Sequence, residues 1–167
     1  MHTNARQITY IAVLTALEVI LSRFLSVNAW NIKIGFAFVP VVLAAMVLGP
    51  IRAGIVAALG DLIGALLFPI GAYFPGFTVT ALVTGIVFGL FLFEAQTPLR
   101  IVLPVLINQL ILSLLVNSAW ICVVYGSPYL PLIPARLVQC AILIPVQIIF
   151  ITVIQKFWLA RLKKVMI

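Results

Sequence analysis

The chain has almost no acid: Glu18, Asp61 and Glu94 are its only acidic side chains among 167 residues, and His2 is its only histidine. Paired-carboxylate catalysis, histidine metal sites and Ser-His-Asp triads therefore lack their residues, so neither enzymatic function nor a metal or other cofactor is expected. Cys122 and Cys140 both fall inside apolar runs, where a thiol behaves as a small hydrophobe, which excludes a disulfide framework. Charge of either sign is scarce, at 8% of residues against 65% hydrophobic and a mean hydropathy of +1.34. Soluble domains carry about 25% charge, so a water-soluble globule is excluded.

What is present is apolar length. The chain has room for at most about six bilayer-crossing helices of ~20 to 25 residues with their loops. Gly/Pro clusters and charges divide it into six apolar stretches, at Arg6–Phe24, Ile34–Leu48, Ile51–Leu67, Gly76–Phe93, Arg100–Tyr125 and Leu132–Leu159. The second is short, and with only Gly49-Pro50 between it and the third, a tight antiparallel pair is expected. No alternating period supports a membrane barrel. The expectation is all-α: one integral membrane domain over residues 1–167, a six-transmembrane-helix bundle. The first stretch is read as a retained span, because Glu18 and Arg23 interrupt what would be a signal sequence.

Ten Lys and Arg give a net charge of +7, but they form no arginine-rich tract, so no nucleic-acid partner is expected. With six spans, Arg6, Arg52, Arg100, Lys156, Arg161, Lys163 and Lys164 share one side, and Arg23, Lys33 and Arg136 lie at the opposite ends. The positive-inside bias makes the N- and C-termini cytoplasmic. The run Lys156 to Lys164 reads as an anchor to anionic headgroups of the bilayer.

The three outward cations break that bias, and together they suit the mouth of a site for an anionic ligand; the alternative for each is snorkelling to the headgroups. Asp61 sits inside the third span, where a lone carboxylate needs either an ion pair with Arg23 or Arg136 or a ligand. The loop from Phe68 to Thr78 combines Pro69 and Pro75 with Gly71 and Gly76, leaving Tyr73, Phe74 and Phe77 as rigid flat faces for a planar ring; an interfacial aromatic belt is the alternative. Trp30 and Phe36 flank Lys33 and join the candidates, as do Asn117 and Trp120 in the outer half of helix five and Gln139 in helix six. Asn108 and Gln109 sit deeper and are assigned to packing. Gly71–Thr78 matches G-x-x-x-x-G but has Phe77 at the lysine position, so ATP binding is not expected. Small-x-x-x-small steps occur at Ala12/Ala16, Gly60/Gly64 and Gly85/Gly89.

Two segments, Ala16-Leu17-Glu18-Val19-Ile20-Leu21-Ser22-Arg23-Phe24-Leu25-Ser26 and Phe68-Pro69-Ile70-Gly71-Ala72-Tyr73-Phe74-Pro75-Gly76-Phe77-Thr78, resemble the substrate-binding (S) components of energy-coupling-factor (ECF) transporters, of the folate-specific type. With Gly49-Pro50, the Asp61 segment and Gly85–Phe91, the likeness covers roughly residues 12 to 95; helices five and six resemble the family mainly in hydropathy. The resemblance implies a non-catalytic subunit that captures a vitamin, here folate, and hands it to a module of a membrane scaffold subunit and two ATPase subunits. It implies that Ala12-Val13-Leu14-Thr15-Ala16 is the A-x-x-x-A motif that contacts the scaffold, and that the subunit tips over in the membrane during transport. Folate also fits the residues: a flat pterin for the aromatic faces, with an edge for Asp61, Asn117 or Gln139, and two carboxylates for Arg23, Lys33 and Arg136. Pantothenate, biotin, thiamine or riboflavin, or a structural membrane subunit without ligand, remain alternatives.

Overall fold

A computed structural model of the chain describes residues 5–29, 32–94 and 97–165. Six helices follow in order: α1 (Ala5–Arg23), α2 (Phe38–Leu48), α3 (Pro50–Leu67), α4 (Pro75–Leu92), α5 (Pro98–Tyr125) and α6 (Tyr129–Val165). All but α2 are long and apolar enough to cross a membrane. In hydrocarbon every backbone N–H and C=O needs an internal partner, and a helix supplies them all within one segment. Proline opens α3, α4 and α5 at the first turn, where its missing N–H costs nothing and its fixed φ suits the helix.

The second helix departs from expectation. Residues 26–35, read from the sequence as a loop and the start of a span, form an antiparallel hairpin, β1 (Ser26–Ala29) with β2 (Ile32–Gly35), pairing Ser26 with Gly35 and Val27 with Ile34. Val27, Ile32 and Ile34 are β-branched, and the run is too short to compete as a helix once α2 begins at Phe38. That leaves α2 with 11 residues, about 16 Å of rise. Gly49 alone joins α2 to α3, at φ 87°, a backbone state that an L side chain resists. The closest partner of α3 is α4 rather than α2: a Cβ added at Gly85 or Gly89 would collide with the backbone of Ala53 or Pro50. The Gly85/Gly89 step thus permits backbone-to-backbone approach.

The packed core lies toward the end of the bundle remote from the hairpin. Val42, Ala44 and Ala45 of α2, Ala53 and Val56 of α3, Leu92 of α4, Val105 of α5 and Ile151 of α6 are sealed there. Toward the hairpin end the helices separate. Glu94, the one acid at the remote end, sits 3.9 Å from Arg100 on the exposed surface. The longest element, α6, has 37 residues, about 55 Å, well beyond a ~30 Å hydrocarbon layer. Its basic side chains after Phe157, including Arg161, Lys163 and Lys164, lie outside the described residues.

Gly89→Leu forces α3 and α4 apart and should lower the thermal midpoint of the detergent-solubilised protein by roughly 5 °C. Leu90→Phe, at an exposed position on the same helix, should leave the midpoint unchanged.

Candidate functional site

Between the separated ends of the helices lies a cavity of about 800 Å³, within the ~300 to 1,000 Å³ range of small-molecule sites. Every helix contributes a wall. Glu18 and Arg23 come from α1, Phe38 and Val41 from α2, Ala57 and Asp61 from α3, Phe77, Thr80, Thr84 and Phe88 from α4, Asn108, Gln109, Ser113 and Asn117 from α5, and Arg136 and Gln147 from α6.

The two α1 charges have room only because α3 faces them with glycine. A Cβ added at Gly64 would lie 2.6 Å from Arg23 Nε, and one at Gly60 would overlap the Glu18 carboxylate. The Gly60/Gly64 step therefore makes slots for charged side chains. Arg23 Nε has no hydrogen-bond partner among the described residues. Asp61 is not ion-paired among the described residues: its Oδ2 accepts from the Thr78 hydroxyl at 2.8 Å, and Thr78 Oγ1 lies 3.3 Å from the Tyr73 hydroxyl. Of the two alternatives left open by the sequence, the ion pair with Arg23 or Arg136 is thus not formed. Arg136 donates from a terminal guanidinium nitrogen to Ser113 O at 2.9 Å, which holds it against the cavity wall.

The loop after α3 roofs part of this space. Ile70, Gly71 and Ala72 line the cavity, and the Ala72 N–H donates to the Tyr125 hydroxyl at 3.1 Å. Phe24 meets Phe68 edge-on at 5.2 Å beside the loop.

Among the candidates from the sequence, Arg23, Asp61, Phe77, Asn117 and Arg136 converge on the cavity. The others are placed differently. Trp120 packs on Phe74 at 5.3 Å and donates from its indole to Thr80 Oγ1 at 3.0 Å. A Cβ at Gly76 would strike both rings; these three residues form a packed support behind the wall. Tyr73 lines a smaller adjoining hollow of about 160 Å³ with Arg23 and Asp61. Phe36 turns away to pack on Phe150 at 4.9 Å, and Gln139 is buried in α6 but does not line the cavity. Trp30 and the side chain of Lys33 lie outside the described residues. Ala12 and Ala16 are exposed on α1, beside exposed Val13, Leu17 and Ile20.

A family model described as the S component of ECF-type riboflavin transporters matches residues 2–164. The chain belongs to this family. The S component is 39% identical over 143 residues to a folate transporter FolT of Clostridium novyi (strain NT), covering 85% of this chain and 83% of that protein. A folate transporter FolT of Leuconostoc mesenteroides subsp. mesenteroides is 32% identical over 152 residues, covering 87% and 82%. A crystal structure of FolT bound with folic acid superposes with a TM-score of 0.85 at 33% identity, covering 89% of this chain and 92% of that one.

Sequence reasoning missed Glu18, Asn108, Gln109 and Gln147 in this S component. Glu18 was weighed against a signal sequence and the two residues of α5 were assigned to packing for their depth; the backbone of α5 decides which face they take. Its middle, Ile107–Val116, is π-helical. At about 100° per residue, Asn108 and Asn117 would point to opposite sides of a helix. At the ~82° per residue of i→i+5 winding, nine steps close on two turns and bring both to one face. Donors from α6 meet the carbonyls of this segment: besides Arg136 on Ser113 O, the Cys140 thiol donates to Gln109 O at 3.2 Å and the Tyr129 hydroxyl to Leu115 O at 3.3 Å.

Tyr125→Phe removes the acceptor that holds the Ala72 N–H. Hydrogen exchange at that amide should accelerate about fivefold, the equivalent of one ordinary hydrogen bond, with little change at the core amides of α3 and α4.

Proposed function

We propose that this S component is the folate-binding membrane subunit of an ECF-type importer, taking folate from the outer face and passing it to an energised module. The observation that carries this reading is the cavity itself, which sets two guanidinium groups, Arg23 and Arg136, around an apolar hollow bounded by Phe38, Phe77 and Phe88. A folate carries two carboxylates on its glutamyl tail and a flat pterin at the other end. The arginines match the tail by charge-assisted hydrogen bonds, and the rings supply faces for the heterocycle. The names of the two curated relatives and the folic acid in the superposed structure point to the same ligand. The charge asymmetry of the loops puts the termini in the cytoplasm and the cavity mouth outside.

Riboflavin is the second reading, favoured by the description of the family model. Its ribityl chain is neutral and would leave both guanidinium groups without an anion. In the folate reading nothing is catalysed in this chain. Energy comes from ATPase partners, and docking to their membrane scaffold uses the exposed Ala12/Ala16 face of α1, where small side chains let another helix approach.

Isothermal titration of the purified protein with folic acid, riboflavin and pantothenate, without ATP, should give heat with folic acid alone; silence with folic acid ends this reading. Arg23→Ala should weaken folic acid binding tenfold or more, the equivalent of one charge-assisted bond. Ala12→Trp should abolish uptake in cells while leaving the titration unchanged, and equal loss of both would contradict the docking role.

A further inference from the structure

The smaller hollow adjoins the large cavity under the loop after α3, and its chemistry is its own. Arg23, Asp61, Gly71 and Ala72 line both spaces, whereas Ala65 and Tyr73 line the hollow alone. Ala65 lies one turn past Asp61 on α3, about 6 Å nearer the loop. The volume of about 160 Å³ is the share of about five waters in the liquid, room for one short polar unit of a ligand. The Thr78 hydroxyl gives its proton to Asp61 Oδ2, so the Tyr73 hydroxyl, 3.3 Å away, is the donor to Thr78. Asp61 and Tyr73 are thus left with oxygen lone pairs to offer a ligand. Arg23 shares the wall with them, makes no ion pair with Asp61, and has an Nε without a partner among the described residues.

An acid on the wall of a site for an anionic tail is repulsive unless the ligand also brings it an N–H group. A folate with a single glutamate ends in two carboxylates and has no donor at its γ end. One γ-peptide bond changes this, because the γ-carboxylate becomes a neutral amide whose N–H can be given to an acid, with further carboxylates beyond it. We propose that the hollow is a subsite for a γ-linked glutamyl unit, so that this S component prefers a pteroyl-γ-diglutamate to folic acid. Asp61 accepts from the N–H of the γ-peptide bond, and Arg23, on the wall common to both spaces, binds a carboxylate beside it. Small residues keep the space open. Ala65 walls it, and Gly71 and Ala72 pass under the Tyr125 hydroxyl, which a Cβ at Gly71 would strike and which holds the Ala72 N–H. This inference rests on the folate reading above.

The test titrates the purified full-length protein and its Ala65→Leu and Asp61→Asn variants with folic acid and with pteroyl-γ-diglutamate. The unaltered protein should bind the diglutamate about tenfold more tightly than folic acid, the equivalent of one added charge-assisted bond. Ala65→Leu fills the hollow without reaching the large cavity, so it should keep its affinity for folic acid within about twofold and lose the preference. Asp61→Asn, which removes the repulsion and the acceptor together, should bind folic acid no more weakly than the unaltered protein and also lose the preference. Equal or weaker binding of the diglutamate by the unaltered protein overturns the assignment without depending on how either variant folds. So does a preference that survives Ala65→Leu, since the added unit would then lie elsewhere. Silence of the unaltered protein with both compounds overturns the folate reading itself, which separates that failure from this one.

Discussion

A charged side chain inside a lipid-immersed body is sustainable only where space, polar partners and access to water or a ligand are all provided. Glu18 and Arg23 point from α1 into the bundle, and the hairpin end of the protein is arranged to meet that requirement. The α3 helix yields at Gly60 and Gly64, so that a carboxylate and a guanidinium fit where a Cβ would not. The helices separate around them while the opposite end closes into an apolar core without ionised groups. One half of the bundle is built for cohesion, and the other holds nearly every polar side chain that faces inward.

The π-helical stretch of α5 belongs to the same arrangement. Looser winding gathers Asn108, Ser113 and Asn117 toward the cavity. Arg136 and Cys140, one turn apart on α6, hydrogen-bond carbonyls four residues apart on α5. The two helices are thereby fastened at the level of the cavity, where apolar packing is thinnest. Arg136 is at once a cation on the wall and a clamp between helices. Trp120, Phe74 and Gly76 give the start of α4 a similar fixity from behind.

The long helices were legible in the sequence because runs of about twenty apolar residues between Gly/Pro breaks have few other ways to satisfy their backbones. The outward cations Arg23 and Arg136 were legible because they break a charge rule. The hairpin was not, since a four-residue strand carries too little periodicity to stand out beside apolar helices. Asn108 and Gln109 were assigned to packing by their depth alone, and the π-helical winding that turns Asn108 to the face of Asn117 leaves no mark in the sequence. Trp120 and Phe74 looked like stacking surfaces by composition alone, and only their mutual contact and the Thr80 hydrogen bond reveal a supporting role. Glu18 was not read as a site residue, because its slot depends on Gly60, more than forty positions away.

The brevity of α2 has a consequence for how the hollow exists at all. A helix that crossed the full hydrocarbon thickness from Leu48 would continue past Phe38 into the region that Gly35, Ala37 and Phe38 now border. Its place is taken by a two-stranded flap at the margin, leaving room within an otherwise complete six-membered ring of elements. The vacancy is thus produced by truncating one inner column, with no need to spread the remaining five apart along their whole length. Their remote ends stay tightly joined, and the wall of the chamber inherits the rigidity of that base.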